Sequence, residues 1–274
     1  MTVTPTAELQ PRELIVTLFG LYARDEHNWL AVASLVRIME AVGVDGPAVR
    51  SSISRLKRRG VLVSSRQRGA VGYALSPSLL DVVNEGDSRI FVRGRGTLDD
   101  GFLLLVFSVP ESERDKRHAL RSALTKLGYG TVSPGVWIAP AHLKAETRDA
   151  LQRRGLSGYV EIFEGNPVSL EGLPQKIAQW WDLDTMSDLY AGFIATHRPL
   201  LNRYRAGKLT DRDVFAEYVS MLTSWRRLPY LDPGLPLELL PSRWNGVTAE
   251  KLFDELHTAL NTGARDFALT LIHP

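Results

Sequence analysis

The residues best placed to do chemistry are Arg50, Ser51, Ser54, Arg55, Lys57 and Arg58, inside the run from Asp45 to Gly60. Val49, Ile53 and Leu56 fall at i, i+4 and i+7 and so share one helical face. The charged and hydroxyl residues occupy the rest of the surface. Asp45 suits the N-cap, Pro47 the first turn and Gly60 the C-terminal stop. Basic residues stand at 50, 55, 57, 58, 59, 66 and 68, with no acidic residue between them. Guanidinium forks and hydroxyls on a short helix are the groups that pair with base edges and phosphates of duplex DNA. The chemistry these groups suit is recognition of duplex DNA rather than bond breaking.

Such a helix needs supports, and the flanking residues supply them. Pro11 to Tyr22 is predicted as a helix, with Leu14, Leu18 and Leu21 on one face. Trp29 to Met39 is a second, with Leu30, Leu35 and Ile38 apolar. Ala41-Val42-Gly43-Val44 then turns the chain, giving a helix-turn-helix. Val61 to Ser65 and Val71 to Leu75 have strand character, joined by the basic tip Arg66-Gln67-Arg68-Gly69. Three helices and a basic hairpin make a winged helix, in which Arg66 and Arg68 reach phosphates or a minor groove. A basic face on a protein-interaction module is the alternative. DNA is preferred because helix and hairpin carry the same charge sign.

At 274 residues the chain has room for two or three domains, and 44% hydrophobic with 23% charged residues is ordinary for globular proteins. The net charge of +2 hides an asymmetry. Residues 1–98 hold 13 Lys and Arg against 9 Asp and Glu, so the basic surplus sits with the helix-turn-helix. The absence of cysteine excludes disulfides, thiolate metal sites and a cysteine nucleophile. No run of 18 apolar residues suggests a membrane span, and Met1 to Pro5 lacks a signal-peptide layout and is expected to fray. A cytoplasmic protein is expected. No P-loop, dinucleotide fingerprint, zinc spacing or nucleophile–base pair is present, so no enzyme, metal or cofactor is expected.

Beyond the hairpin, residues 78–98 suggest a short helix and a glycine-rich linker whose Arg89, Arg93 and Arg95 are solvated or touch phosphates. Phe102 to Val109 is continuously apolar, which predicts a strand covered on both faces. A helix (Ser112 to Leu127), two strands (Tyr129 to Val132, Gly135 to Ala139), a helix (His142 to Arg154) and a strand (Tyr159 to Phe163) follow. The order βαββαβ is ferredoxin-like. Small ferredoxin-like ribonucleases place an aspartate at the end of the first strand, which makes a metal-dependent nuclease the rival function. Here that place holds Ser108, and Asp99 and Asp100 precede the strand.

From Pro174 onward the sequence reads as all helical. Leu189, Phe193, His197, Leu200 and Tyr204 form a stripe that Pro199 is expected to kink. Further helices are expected at Val214 to Leu228 and Ala249 to Phe267. His197 on an apolar stripe is a core histidine or a ligand. Arg226 shares a face with Phe215, Val219 and Leu222, so it needs a partner, for which Asp232 is the candidate. Alternatively Arg205, Arg226 and Arg227 hold an anionic ligand against an aromatic wall of Trp180, Trp181, Trp225, Tyr230 and Trp244. The chain is thus expected to be α+β: a winged-helix DNA-binding domain at 1–85, a linker at 86–100, a ferredoxin-like middle domain at 101–170 and a helical effector and dimer domain at 171–274.

The segments Leu14 to Gly20 with Tyr22, and Val49 to Gly60, resemble the N-terminal domain of the phenylacetic-acid-degradation repressors of the PaaX type. Arg226-Arg227, Asp232-Pro233-Gly234-Leu235-Pro236, Leu239-Leu240-Pro241 and Trp244 are similar to that family's C-terminal signature. The resemblance implies a bacterial repressor acting as a homodimer. It also implies an aryl-coenzyme A effector, typically phenylacetyl-coenzyme A, that releases the protein from its operator. That effector is expected between the helical tail and the middle domain.

Overall fold

A computed structural model describes residues 9–67 and 69–274. Met1 to Pro5 and Arg68 lie outside the described residues. In chain order the elements begin with helix α1 (Pro11–Leu18), which continues as a π-helical turn to Ala23. Then come β1 (Leu30–Ala31), α2 (Val32–Ala41), α3 (Gly46–Arg58), β2 (Leu62–Gln67), β3 (Ala70–Leu75) and α4 (Pro77–Asp87). The middle holds β4 (Phe102–Phe107), α5 (Arg114–Lys126), β5 (Gly130–Ser133), β6 (Val136–Pro140), α6 (Lys144–Arg153) and β7 (Val160–Gly165). Helices α7 (Leu173–Trp180), α8 (Leu183–Arg205), α9 (Asp211–Trp225), α10 (Leu228–Leu231) and α11 (Asn245–Ile272) complete the chain.

The chain forms two compact units. The first comprises residues 1–88, 191–226 and 246–274, and the second 89–190 and 227–245. The helical region from 171 is therefore shared between them.

In the first unit, Ile15, Leu18, Phe19, Leu35, Ile38, Met39 and Val49 are fully buried with Phe215, Val219 and Leu256. The helix-turn-helix and its wing form as expected, with one addition. Helix α2 begins at Val32 rather than Trp29, because Leu30 and Ala31 pair antiparallel with Tyr73 and Gly72. His27 and Asn28 take left-handed backbone conformations to make that turn. The Asn28 side chain then bonds both the N–H and the carbonyl of Leu75. Its amide extends the ladder where β1 has run out.

In the second unit the sheet order is β5-β6-β4-β7 with every neighbouring pair antiparallel. This is the arrangement expected of the βαββαβ order. Leu103, Leu105 and Phe107 face α5 and α6 with Leu120, Leu124, Ala150 and Leu151. The expectation that β4 is covered on both faces does not hold. Leu104 and Val106 alternate outward and remain about a third exposed, and Phe163, paired across from Leu104, is 58% exposed. Elsewhere on that face Phe102 and Ile138 are buried, and Trp181 of the segment after α7 lies against Gly130. An apolar strand with one open face has the same composition as a buried one, so continuous apolarity did not separate them.

Candidate DNA-binding surface

Helix α3 starts where Asp45 accepts the N–H of Ala48 at 2.7 Å. Val49, Ser52, Ile53 and Leu56 face inward. Arg50, Ser51, Ser54, Arg55, Lys57 and Arg58 are all exposed on the other faces. Arg55 donates to the Ser51 hydroxyl at 2.8 Å, one turn back, which restricts the guanidinium before any partner arrives. The Arg50 guanidinium lies back along the helix beside Gly46. Arg59, counted in the basic run but given no role from sequence, is exposed at the C-cap.

The wing is set by cross-strand pairing. Ser64 stands opposite Tyr73 and Arg66 opposite Val71. Alternation puts Arg66 and Tyr73 on one face, with buried Leu62 and Leu75. Lys57 of α3 lies 5.6 Å from the Tyr73 ring centroid on that same face. Arg66 therefore projects from the side of the hairpin that meets α3. The other face holds Gly72, where a Cβ would overlap the Trp29 ring and the Leu30 carbonyl. The hairpin lies flat on Trp29 only because residue 72 has no side chain.

The six residues expected to hold an anionic effector each have their own surroundings. In the first unit, Arg205 is exposed and pairs with Glu255 at 3.0 Å. Trp225 is buried and stacked on Phe253, centroids 4.5 Å apart. Arg226 donates to the Glu13 carbonyl at 3.2 Å. In the second, Arg227 is exposed, Tyr230 lies under the Arg89 guanidinium at 5.0 Å, and Trp244 meets Tyr190 edge-on at 5.7 Å. Trp181 donates to the Gly128 carbonyl at 2.8 Å, with Trp180 beside it.

The charged partner expected for Arg226 is engaged elsewhere. Asp232 is buried and accepts from Arg93, from the Tyr190 hydroxyl at 3.0 Å and from the Gly234 N–H at 2.8 Å. Arg93 also donates to Tyr190 at 2.6 Å. Arg95 donates to the Leu235 carbonyl, and Gly96 N–H to the Gly234 carbonyl at 2.9 Å. Burial and the Asp232 charge push the Tyr190 hydroxyl well above the ordinary phenol range. Arg89, nearly buried, pairs with Glu146 at 3.0 Å and donates to the Leu127 carbonyl at 2.7 Å. Arg89, Arg93 and Arg95 are thus internal ties rather than solvated linker residues. Sequence reasoning missed them because a glycine- and arginine-rich run looks solvated when its acceptors lie far away in the chain.

His142 sits beside Gly96 and Gly234, and burial followed by the Arg89 charge holds its ring below the usual histidine range. Asp100 accepts from the Thr97 N–H and hydroxyl, which lowers its carboxyl. Among the described residues no three His, Asp or Glu side chains gather as a metal site.

Comparison with known proteins covers most of the chain. Residues 10–79 match the model of PaaX-like proteins, 95–177 that of the PaaX protein central Cas2-like domain, and 181–270 that of the PaaX-like protein C-terminal domain. The transcriptional repressor PaaX of Escherichia coli (strain K12) is 29% identical over 264 residues, spanning 93% of this chain and 81% of that protein. The solved structure of the uncharacterized protein Rv0674 from Mycobacterium tuberculosis shares the fold at TM-score 0.56 and 22% identity, over 93% of this chain and 97% of that one. Three consecutive domain models of one family, which together match most of the chain, show that this chain belongs to the PaaX family of proteins.

Proposed function

We infer that this protein is a DNA-binding transcriptional repressor of an aromatic-acid catabolic pathway of the phenylacetate type. The carrying observation is the single basic surface made by α3 and the wing. Arg50, Ser51, Ser54 and Arg55 are exposed on the helix, and Arg66 projects from the hairpin face that meets it. In this reading Arg50, Ser51, Ser54 and Arg55 address base edges in a major groove, while Lys57, Arg58 and Arg66 take phosphates. Arg68 is assigned to the wing contact on sequence grounds. Similarity to a named transcriptional repressor supports the same reading. In this reading the protein acts in the cytoplasm and not as an enzyme, as expected of a protein similar to a transcriptional repressor. No described helix is long and apolar enough to cross a membrane. The rival nuclease has neither a gathered carboxylate set among the described residues nor support from the family matches.

Two finer statements rest on family membership. The repressor works as a homodimer on paired half-sites. It is released by an aryl-coenzyme A such as phenylacetyl-coenzyme A. Residues 171–274 hold four of the six tryptophans together with eight arginines, groups that suit an anionic, aromatic effector.

The test is fluorescence anisotropy of the intact protein on duplexes it selects from a random pool, across a salt series, with and without phenylacetyl-coenzyme A. Selected duplexes bound far above random ones, with a steep salt dependence, establish the DNA reading. Relief by the thioester establishes the effector. Absence of any calorimetric heat with phenylacetyl-coenzyme A removes the effector and leaves the DNA reading standing.

A further inference from the structure

Base reading by α3 depends on the angle at which α2 and α1 present it. Within the first unit, α2 is fastened to helices from the far end of the sequence. Ser34, buried in α2, donates its hydroxyl to the Ile272 carbonyl at 3.1 Å. Arg37, one turn on, donates through Nε to the Leu271 carbonyl at 3.0 Å and through its terminal nitrogen to the Ser34 hydroxyl at 3.0 Å. Leu271 and Ile272 end α11, so their carbonyls have no N–H donor within their own helix. A guanidinium there also meets the negative end of the helix dipole.

The capping is reciprocated. The last carbonyls of α2, on Glu40 and Ala41, accept from Arg212 in the first turn of α9 at 3.0 and 3.4 Å. Neighbouring ties run the same way. Thr223 donates to the buried Thr17 hydroxyl of α1 at 2.9 Å, and Arg265 pairs with Asp25 at 2.8 Å. A freestanding winged helix would satisfy α2 internally or with water. Here two of its side chains and its last two carbonyls bond to the ends of two helices more than 170 residues away.

We propose that Ser34 and Arg37 are positioning residues for DNA reading. They cap α11 from within the helix-turn-helix, so the C-terminal helix is a working part of the DNA-binding unit and holds α3 at its reading angle. This rests on the DNA reading of α3 given above. It differs from a direct role for Arg37 at a phosphate, and the two make opposite predictions.

The experiment compares the full-length wild type with Arg37→Ala, Arg37→Lys and Ser34→Ala on selected and random duplexes, each over a salt series. Circular dichroism verifies the fold. Arg37→Ala is expected to lose about tenfold on the selected duplex, with random binding and the salt slope unchanged. Arg37→Lys, which keeps the charge but not the fork, is expected to recover part of the loss, and Ser34→Ala to lose less than Arg37→Ala. Amide exchange across residues 46–58 is expected to quicken in Arg37→Ala. Deleting residues 271–274, which removes the acceptors of both Arg37 and Ser34 and the His273–Glu26 pair, should lose at least as much, and adding Arg37→Ala to it should add little. Equal loss on selected and random duplexes, with a salt slope lower by about one, identifies a phosphate contact and overturns the proposal. Wild-type selectivity in both Arg37→Ala and Ser34→Ala overturns it as well. Should Arg37→Ala not fold, the Ser34→Ala result decides. A wild-type protein that selects no sequence removes the DNA reading itself, and this inference with it.

Discussion

Asp232 is where single residues matter most in the second unit. Its carboxylate is 2% exposed and meets an Arg93 side chain that is 6% exposed. Removing one member of such a pair strands the other in the interior, which costs about 3–5 kcal/mol. Asp232→Ala is therefore expected to lose stability on that scale in urea unfolding, and a loss below about 1 kcal/mol would show that water replaces the carboxylate. His197 tests the first unit. Its ring is buried against Phe193, centroids 4.7 Å apart, and burial pulls its pKa down to about 4. The unfolded ring titrates near 6.5, so between these values the unfolded state binds more protons. Stability from the neutral ring is complete above about pH 6.5 and is lost as pH falls toward 4, by up to about 1.4 kcal/mol per pH unit. His197→Phe should flatten that slope, and parallel curves for the two proteins would refute it. The sequence showed that His197 and Arg226 sat on apolar faces, and it showed that Arg226 needed a partner. It did not show which one. Arg226 takes the Glu13 carbonyl and Asp232 takes Arg93, 139 residues away, a pairing that no local spacing encodes.

At the level of elements, α3 was the most legible part of the chain. Its cap, stripe and stop are all local signals, and each is used as expected. The first strand of the wing was not legible, because two residues carry no periodicity and their partner, β3, lies 40 residues on. Covering of β4 was equally hidden, since it depends on which helices return to the sheet. Helix and wing should separate by function. Arg55→Ala is expected to cost about 1–3 kcal/mol on the selected duplex and little on random DNA. Arg66→Ala should weaken both alike and lower the salt slope by about one. Equal losses for Arg55→Ala on both duplexes would move Arg55 to the backbone. The wing itself hinges on Gly72. A methyl group there forces the hairpin off Trp29, and overpacking of this kind costs about 1–3 kcal/mol. Gly72→Ala should lower the thermal midpoint and weaken binding through the wing, which thermal unfolding and anisotropy measure together.

Over the whole molecule, one recognition helix per chain sets the remaining requirement. A single α3 spans only a few base pairs, so a repressor that selects one site among many needs two such helices on one duplex. For the proposed homodimer, two copies related by a twofold axis demand two half-sites on one face of the DNA. Half-sites about one helical turn apart, or a multiple of it, meet this condition. Inserting about five base pairs between them turns the second half-site to the opposite face of the duplex. For a dimer with fixed spacing, that insertion should lower affinity nearly to the level of one half-site, and inserting about ten should restore part of it. The measurement is anisotropy on the three duplexes with the same protein. Indifference to the five-base-pair insertion would mean that each copy binds alone, and specificity would then have to come from α3 and the wing of one chain.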